Sequence, residues 1–159
     1  MRVVLQRVKR ASVTVYESGA AGRVSGRIDR GLVLLVGFRS GDGAESAAKL
    51  AKKILELRIF EDDAGKMNRS ITDIGGGLLV VSQFTLYGNT RKGRRPSFTG
   101  AMPPDEAEAM YRRFVELLKS SELTVATGVF GAKMEVEIIN DGPVTFILED
   151  EPASSTASG

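Results

Sequence analysis

The sequence predicts an α+β fold in which strongly curved, barrel-like sheets carry two main helices. Three observations predict it. Most apolar segments alternate with a period of two, two segments repeat with the helical period, and those two stand between groups of strands. With 159 residues, of which 42% are hydrophobic and 26% charged, the chain has room for one domain with a real core. No internal repeat and no linker divides it. Residues 1–150 form the expected domain. The remainder, 151–159 (EPASSTASG), has no large apolar side chain and is expected to be a disordered tail.

Residues 1–8 and 10–17 read as two strands. In the second, Ala11, Val13 and Val15 alternate with Ser12, Thr14 and Tyr16. The Gly- and Ala-rich Glu17–Arg23 segment is a turn, followed by strands near 23–29 and 32–38 separated by Asp29-Arg30-Gly31. Ser46–Leu57 changes period: Ala47, Leu50, Ala51, Ile54 and Leu55 share one helical face, with Lys49, Lys52, Lys53 and Glu56 facing outward. Arg58–Glu61 returns to strand, Asp62–Lys66 turns, and Gly75-Gly76-Gly77 leads into the apolar strand Leu78–Val81. The second helix runs from Pro104 to Lys119. Proline suits its first turn, Asp105 and Glu106 suit its positive N-terminal end, and Ala107, Met110, Tyr111, Phe114 and Leu117 make its buried stripe. Met134, Val136 and Ile138 alternate with charged neighbours in a penultimate strand, and Pro143–Glu149 is the last.

Composition narrows the chemistry. There is no cysteine and no histidine. Disulfides, thiol nucleophiles, thiolate or imidazole metal ligands and every histidine-based relay are therefore excluded. Hydroxyls, carboxylates, lysine, backbone N–H groups and the substrate's own groups remain. No clustered carboxylate motif points to a metal, and no cofactor is implied. The opening MRVVLQRVKR is too charged for a signal peptide, and no run approaches the roughly 20 apolar residues of a membrane span. A cytoplasmic protein without membrane contact is the expectation.

Net charge is only +2, yet it is unevenly placed. No acidic residue lies between Asp73 and Asp105, while Arg91, Lys92, Arg94 and Arg95 crowd one loop. Such a cluster is either solvated surface or an edge that contacts nucleic-acid phosphates.

Two polar segments remain. In SQFTLYG (82–88), a hydrophobic strand ends on Ser82, Gln83 and Thr85, whose side chains cost about 1–3 kcal/mol each if buried without partners. Regular alternation puts Ser82 and Phe84 on one face, Gln83 and Thr85 on the other; a bulge or strand end reunites them. Either the strand emerges into solvent here, or these groups line a ligand site. NDGPVTF (140–146) carries strong turn chemistry between two strands and by itself reads as an ordinary tight turn, although a Gly-Pro bond can be cis at a cost of only about 0.5–1 kcal/mol.

Together, SQFTL and GPVT resemble the D-aminoacyl-tRNA deacylase family. LQRVKRASVTV (5–15), RIFEDDAGKMN (58–68), KGRRPSF (92–98) and TGVFGAKMEVEIINDGPVTF (127–146) stand in the family's order and spacing. The resemblance implies a homodimer that hydrolyses the ester joining a D-amino acid, or glycine, to the terminal adenosine at the acceptor end of tRNA, sparing L-aminoacyl-tRNA. It implies that a cis Gly142-Pro143 peptide, followed by Val144 and held with the help of Arg7, enters the partner's pocket and excludes L side chains. By the same resemblance Ser82, Gln83, Phe84 and Thr85 form the catalytic strand. Phe130, Gly131, Ala132 and Met134 line the adenosine side. Backbone N–H groups near Phe84 and Thr85 fit the missing histidine, since they stabilise an oxyanion without a titrating side chain. Thr85 as nucleophile is the runner-up, and it lacks a histidine base. The departures are a slightly long Gly19–Gly22 excursion, Arg94 at a variable place, and the extra tail. Two alternatives stay open: an RNA- or DNA-binding dimer of the same fold without catalysis, and a deacylase of relaxed chirality with a trans Gly-Pro bond.

Overall fold

In the computed structural model, which describes residues 1–151, the chain is organised around one long strand. That strand, β1 (Arg2–Tyr16), is continuous where the sequence pattern predicts two. Val3 and Leu5 are buried on one face and Val8, Ala11, Val13 and Val15 on the other, so the alternation slips by one residue between Val8 and Ala11. An irregularity absorbs the slip, and the pairing register shifts on both sides of Val8. On one edge of β1, its first half pairs with β3 (Gly31–Gly37) and its second half with β2 (Arg23–Ile28). On the other edge, β8 (Lys133–Glu149) runs antiparallel along nearly its whole length.

β3 and β6 (Gly77–Ser82) are parallel, with Gly31 opposite Gly77. At Gly31 a Cβ would lie 1.8 Å from the Gly77 carbonyl oxygen, so only glycine allows these backbones to approach. Both strands read as nearly unbroken apolar runs because both of their faces are covered. Leu32, Leu34, Leu78 and Val80 face the helices, while Val33, Leu79 and Val81 face the barrel interior with Val8, Ala11, Val13 and Val15.

The helical layer supplies the crossovers that parallel strands require. α1 (Ala44–Glu56) begins two residues earlier than its apolar stripe predicts and buries Ala47, Leu50, Ala51 and Ile54. A small hairpin follows, β4 (Phe60–Glu61) with β5 (Met67–Arg69). Its turn is held by the Asp62 carboxylate, which accepts from the backbone N–H groups of Ala64 (2.9 Å) and Lys66 (3.0 Å). α2 (Ile71–Ile74) is a single turn fixed by a Ser70/Asp73 capping box and a left-handed Gly75. α3 (Pro104–Lys119) has the predicted bounds, but its buried stripe is rotated slightly. Val115 and Leu118 are buried with Ala107, Tyr111 and Phe114, whereas Met110 and Leu117 are half-buried. Burial pushes the Tyr111 phenol above its ordinary pKa, and its hydroxyl donates to the Val80 carbonyl at 2.7 Å. α3 returns to β7 (Val125–Thr127), a short strand parallel to β6 that the pattern does not signal.

At the last strand the structure departs from expectation. NDGP does not close a hairpin between two strands; β8 passes through it. Gln6 pairs with Thr145 and Val8 with Asn140, so residues 141–144 bulge outward opposite Arg7. The tail expected from 151 onward lies outside the described residues, apart from Glu151 itself. No described helix is long and apolar enough to cross a membrane.

Candidate active site

β6 ends at Ser82. There the Gln83 N–H donates to the Val36 carbonyl (2.7 Å), and the chain turns into a single 3-10 turn, Phe84–Tyr87. The strand predicted through SQFTL is thus interrupted after Ser82, and the Gln83 carbonyl passes close to Gly37 at the end of β3, where a Cβ would stand 2.9 Å from that oxygen. The interruption reunites what strand alternation separates. Ser82, Gln83 and Phe84 all line one cavity of about 610 Å³, together with Phe130, Gly131, Ala132 and Met134. Thr85 does not line it. Its exposed hydroxyl accepts a short hydrogen bond from the Gln83 side chain, so the two polar groups satisfy each other at the rim.

The remaining walls are mostly apolar. Met102, Pro103, Pro104 and Ala107 enclose one side, and Phe98 stands edge-on to Phe84 with ring centroids 5.1 Å apart. Phe84 itself is 60% exposed, which leaves an aromatic surface open at the mouth. The wall formed by Phe98, Met102, Pro103 and Pro104 was not anticipated from the sequence; its signal was an aromatic and two prolines between a basic loop and a helix start. The 3-10 turn's own bonding begins at the Leu86 N–H, which leaves the Phe84 and Thr85 N–H groups ahead of its first bond. Among the described residues, no three His, Cys, Asp or Glu side chains gather as metal ligands.

The other anticipated residues lie elsewhere in the chain. Arg7, only 5% exposed, donates to the carbonyls of Ile59 (2.8 Å) and Asp141 (3.1 Å), with the Asp141 carboxylate 3.6 Å away. Asn140 completes the clamp by accepting from the Val144 N–H at 2.9 Å. Gly142 has φ +142° and a Cβ there would meet Val144 at 2.6 Å, so this corner requires glycine. The Gly142–Pro143 peptide is cis, and both residues are exposed, while Val144 is buried. Within one chain this bulge does not line the apolar cavity. Arg91, Lys92, Arg94 and Arg95 lie exposed on a loop whose ends are joined by paired hydrogen bonds between Asn89 and Ser97.

Residues 4–149 match the family model described as D-Tyr-tRNA(Tyr) deacylase. The chain belongs to this family. Family relatives include a D-aminoacyl-tRNA deacylase of Carboxydothermus hydrogenoformans, 57% identical over 94% of this chain and 99% of the relative. Another, from Geobacter metallireducens, is 52% identical over 97% of this chain and 99% of the relative. Among solved structures, a c-Myc DNA unwinding element binding protein superposes with a TM-score of 0.86 at 43% identity, covering 96% of this chain and all of that one. The barrel-like α+β architecture is therefore the deacylase family's.

Proposed function

We propose that the chain hydrolyses the ester of D-aminoacyl-tRNA, releasing the D-amino acid and free tRNA. One observation carries the reading: Ser82 and Gln83 at the polar end of β6, with Phe84 at the start of the 3-10 turn, line an otherwise mostly apolar cavity large enough for a nucleoside. Phe130, Gly131, Ala132 and Met134 receive the terminal adenosine, and Ser82, Gln83, Phe84 and Thr85 border the ester. A water adds to the ester carbonyl, and the Phe84 and Thr85 N–H groups stabilise the resulting oxyanion. Collapse of the tetrahedral adduct breaks the bond to the ribose oxygen, which leaves as the hydroxyl. The neighbouring ribose hydroxyl helps to activate the water, so the RNA takes part in its own hydrolysis. No cofactor is used.

In this reading the protein acts as a cytoplasmic homodimer. The bulge at Gly142-Pro143 is rigidly held by Arg7 yet exposed, as suits a part that works in another subunit's cavity. Phe146 and Ile147, 40% and 64% exposed on the same strand, offer apolar surface to a second copy. Main-chain atoms of the bulge reject an L side chain rather than grip a D one, so glycine passes. Arg91, Lys92, Arg94 and Arg95 contact the tRNA backbone.

The test is deacylation of matched D-tyrosyl-, L-tyrosyl- and glycyl-tRNA by the purified protein. The D and glycyl substrates should be cleaved and the L substrate spared; equal cleavage of D and L, or none, overturns the reading. A second reading, a nucleic-acid-binding dimer without catalysis, draws support from the name of the solved neighbour. It predicts RNA or DNA binding with no turnover in the same assay.

A further inference from the structure

A second cavity, of about 450 Å³, lies on the other side of the 3-10 turn and is lined by Arg2, Arg39, Tyr87, Asn89, Arg91 and Glu151 among others. We propose that it is a phosphate subsite that takes a backbone phosphodiester of the same polynucleotide whose terminal nucleoside occupies the apolar cavity. The proposal rests on the reading of that cavity given above.

The two cavities share their walls. Phe84, at the start of the 3-10 turn, lines the apolar cavity, while Tyr87 and Gly88, at its end, line the arginine cavity. The next loop divides in the same way: Phe98 and Ala101 face the first, Thr99 and Gly100 the second. A chain leaving the apolar cavity therefore has an arginine cluster immediately across the wall.

The cluster is built, not incidental. The Arg2 guanidinium lies 4.8 Å from the centre of the Tyr87 ring, and its Nη1 donates to the Leu86 carbonyl at 2.6 Å. Its Nε donates to Glu149 at 2.7 Å. One carboxylate then spans two arginines: Glu151 lies 3.1 Å from Arg39 and 3.7 Å from Arg2. An anion held between two guanidinium groups marks where a ligand oxyanion sits. A phosphodiester offers two non-bridging oxygens to planar forks that match them, and arginine suits this geometry better than lysine. Arg91 has no ion pair among the described residues, and its loop continues through Lys92, Arg94 and Arg95. Positive charge thus leads away from the cavity along the path of a nucleic-acid backbone. Glu151 covers the site in the free protein and yields it to the phosphate.

The experiment compares two non-hydrolysable analogues by calorimetry. One is 3′-amide-linked D-tyrosyl-adenosine; the other carries two cytidylates on its 5′ side and so brings phosphodiesters. Wild type should bind the extended analogue at least about tenfold more tightly, the worth of one charge-assisted contact. Arg39→Ala should erase that gain while leaving affinity for the nucleoside analogue unchanged, which also shows that the variant is folded. Glu151→Gln should enlarge the gain. The salt slope of the gain should be about 0.7 per contacted phosphate and should vanish in Arg39→Ala. Equal wild-type affinity for the two analogues, or a gain that survives Arg39→Ala, overturns the subsite and leaves the apolar cavity's role intact. Failure of wild type to bind either analogue instead refutes the cavity reading, and the subsite with it. If inorganic phosphate erases the gain at the concentration of the extended analogue itself, the site takes free phosphate and the assignment to a polynucleotide is wrong.

Discussion

Arg7→Met should loosen the Gly142-Pro143 bulge without emptying the space around it. Methionine keeps an unbranched stem and removes the guanidinium of this buried residue, which bonds to the Ile59 and Asp141 carbonyls. Charge-assisted hydrogen bonds contribute about 1.5–3 kcal/mol each. Two of them set a gross loss of about 3–6 kcal/mol, and relief from burying a charge offsets part of it. The net expectation is about 2–4 kcal/mol. With a urea slope of about 2 kcal/mol per molar, the unfolding midpoint should fall by about 1–2 M. Deacylation of D-tyrosyl-tRNA, measured where the variant remains folded, should drop at least about tenfold, since 1.4 kcal/mol of misplacement suffices. A wild-type rate alongside the full loss of stability would detach the bulge from catalysis. An unchanged midpoint would refute the clamp itself.

Thr85→Ala should retain activity within about tenfold of wild type, because the lost hydroxyl contact is worth about 1 kcal/mol and the proposed mechanism assigns the oxyanion to the backbone; abolished turnover with normal tRNA binding would instead support a nucleophilic or proton-relaying hydroxyl. Changing Arg91, Lys92, Arg94 and Arg95 to Glu should weaken tRNA binding and reduce its salt slope by up to about 0.9 per lost duplex contact. Unaltered affinity and slope would return the loop to plain solvated surface. Exhaustive chelation, with magnesium effects on the tRNA controlled, should leave the rate unchanged; a loss restored by zinc or magnesium refutes this. The Asp150 carboxyl is held below the usual range by hydrogen bonds from Lys49 and Ser46. Its stabilisation is therefore present above the unfolded value of about 3.9 and is lost as pH falls through the lower folded value. Asp150→Asn should flatten the acid limb of stability against pH, and an identical limb would show that the contact contributes nothing.

The elements most legible in the sequence are those whose pattern and caps agree. α3 has its proline start, its acidic first turn and its apolar stripe, and its bounds follow. β1 reads as two strands because the pattern records only the phase slip around Val8, not the partner strand that carries the pairing across it. NDGP has the residues of a hairpin turn, yet the same residues form a bulge when both flanks pair with one continuous neighbour. β7 is too short to have a period. At the site, the polar end of β6 was visible as chemistry out of place. The 3-10 turn was not, because the chain leaves β6 where Gln83 bonds to Val36 and passes close to Gly37, residues distant from it in sequence. Phe98 and the two prolines needed the fold to bring them to the same wall.

The pairing of β1 with β8 also bears on how the domain is made. β8 is synthesised about 120 residues after β1. At about 5–20 residues per second, a nascent chain carries one edge of its central strand unpaired for roughly 6–25 s. Contacts this distant in sequence are slow to form as well. An open apolar edge is a template for other strands. A chain stalled before residue 133 already holds both crossover helices and most of the sheet, yet lacks the strand that closes it. Such a product is a client for chaperones and proteases rather than a weaker enzyme.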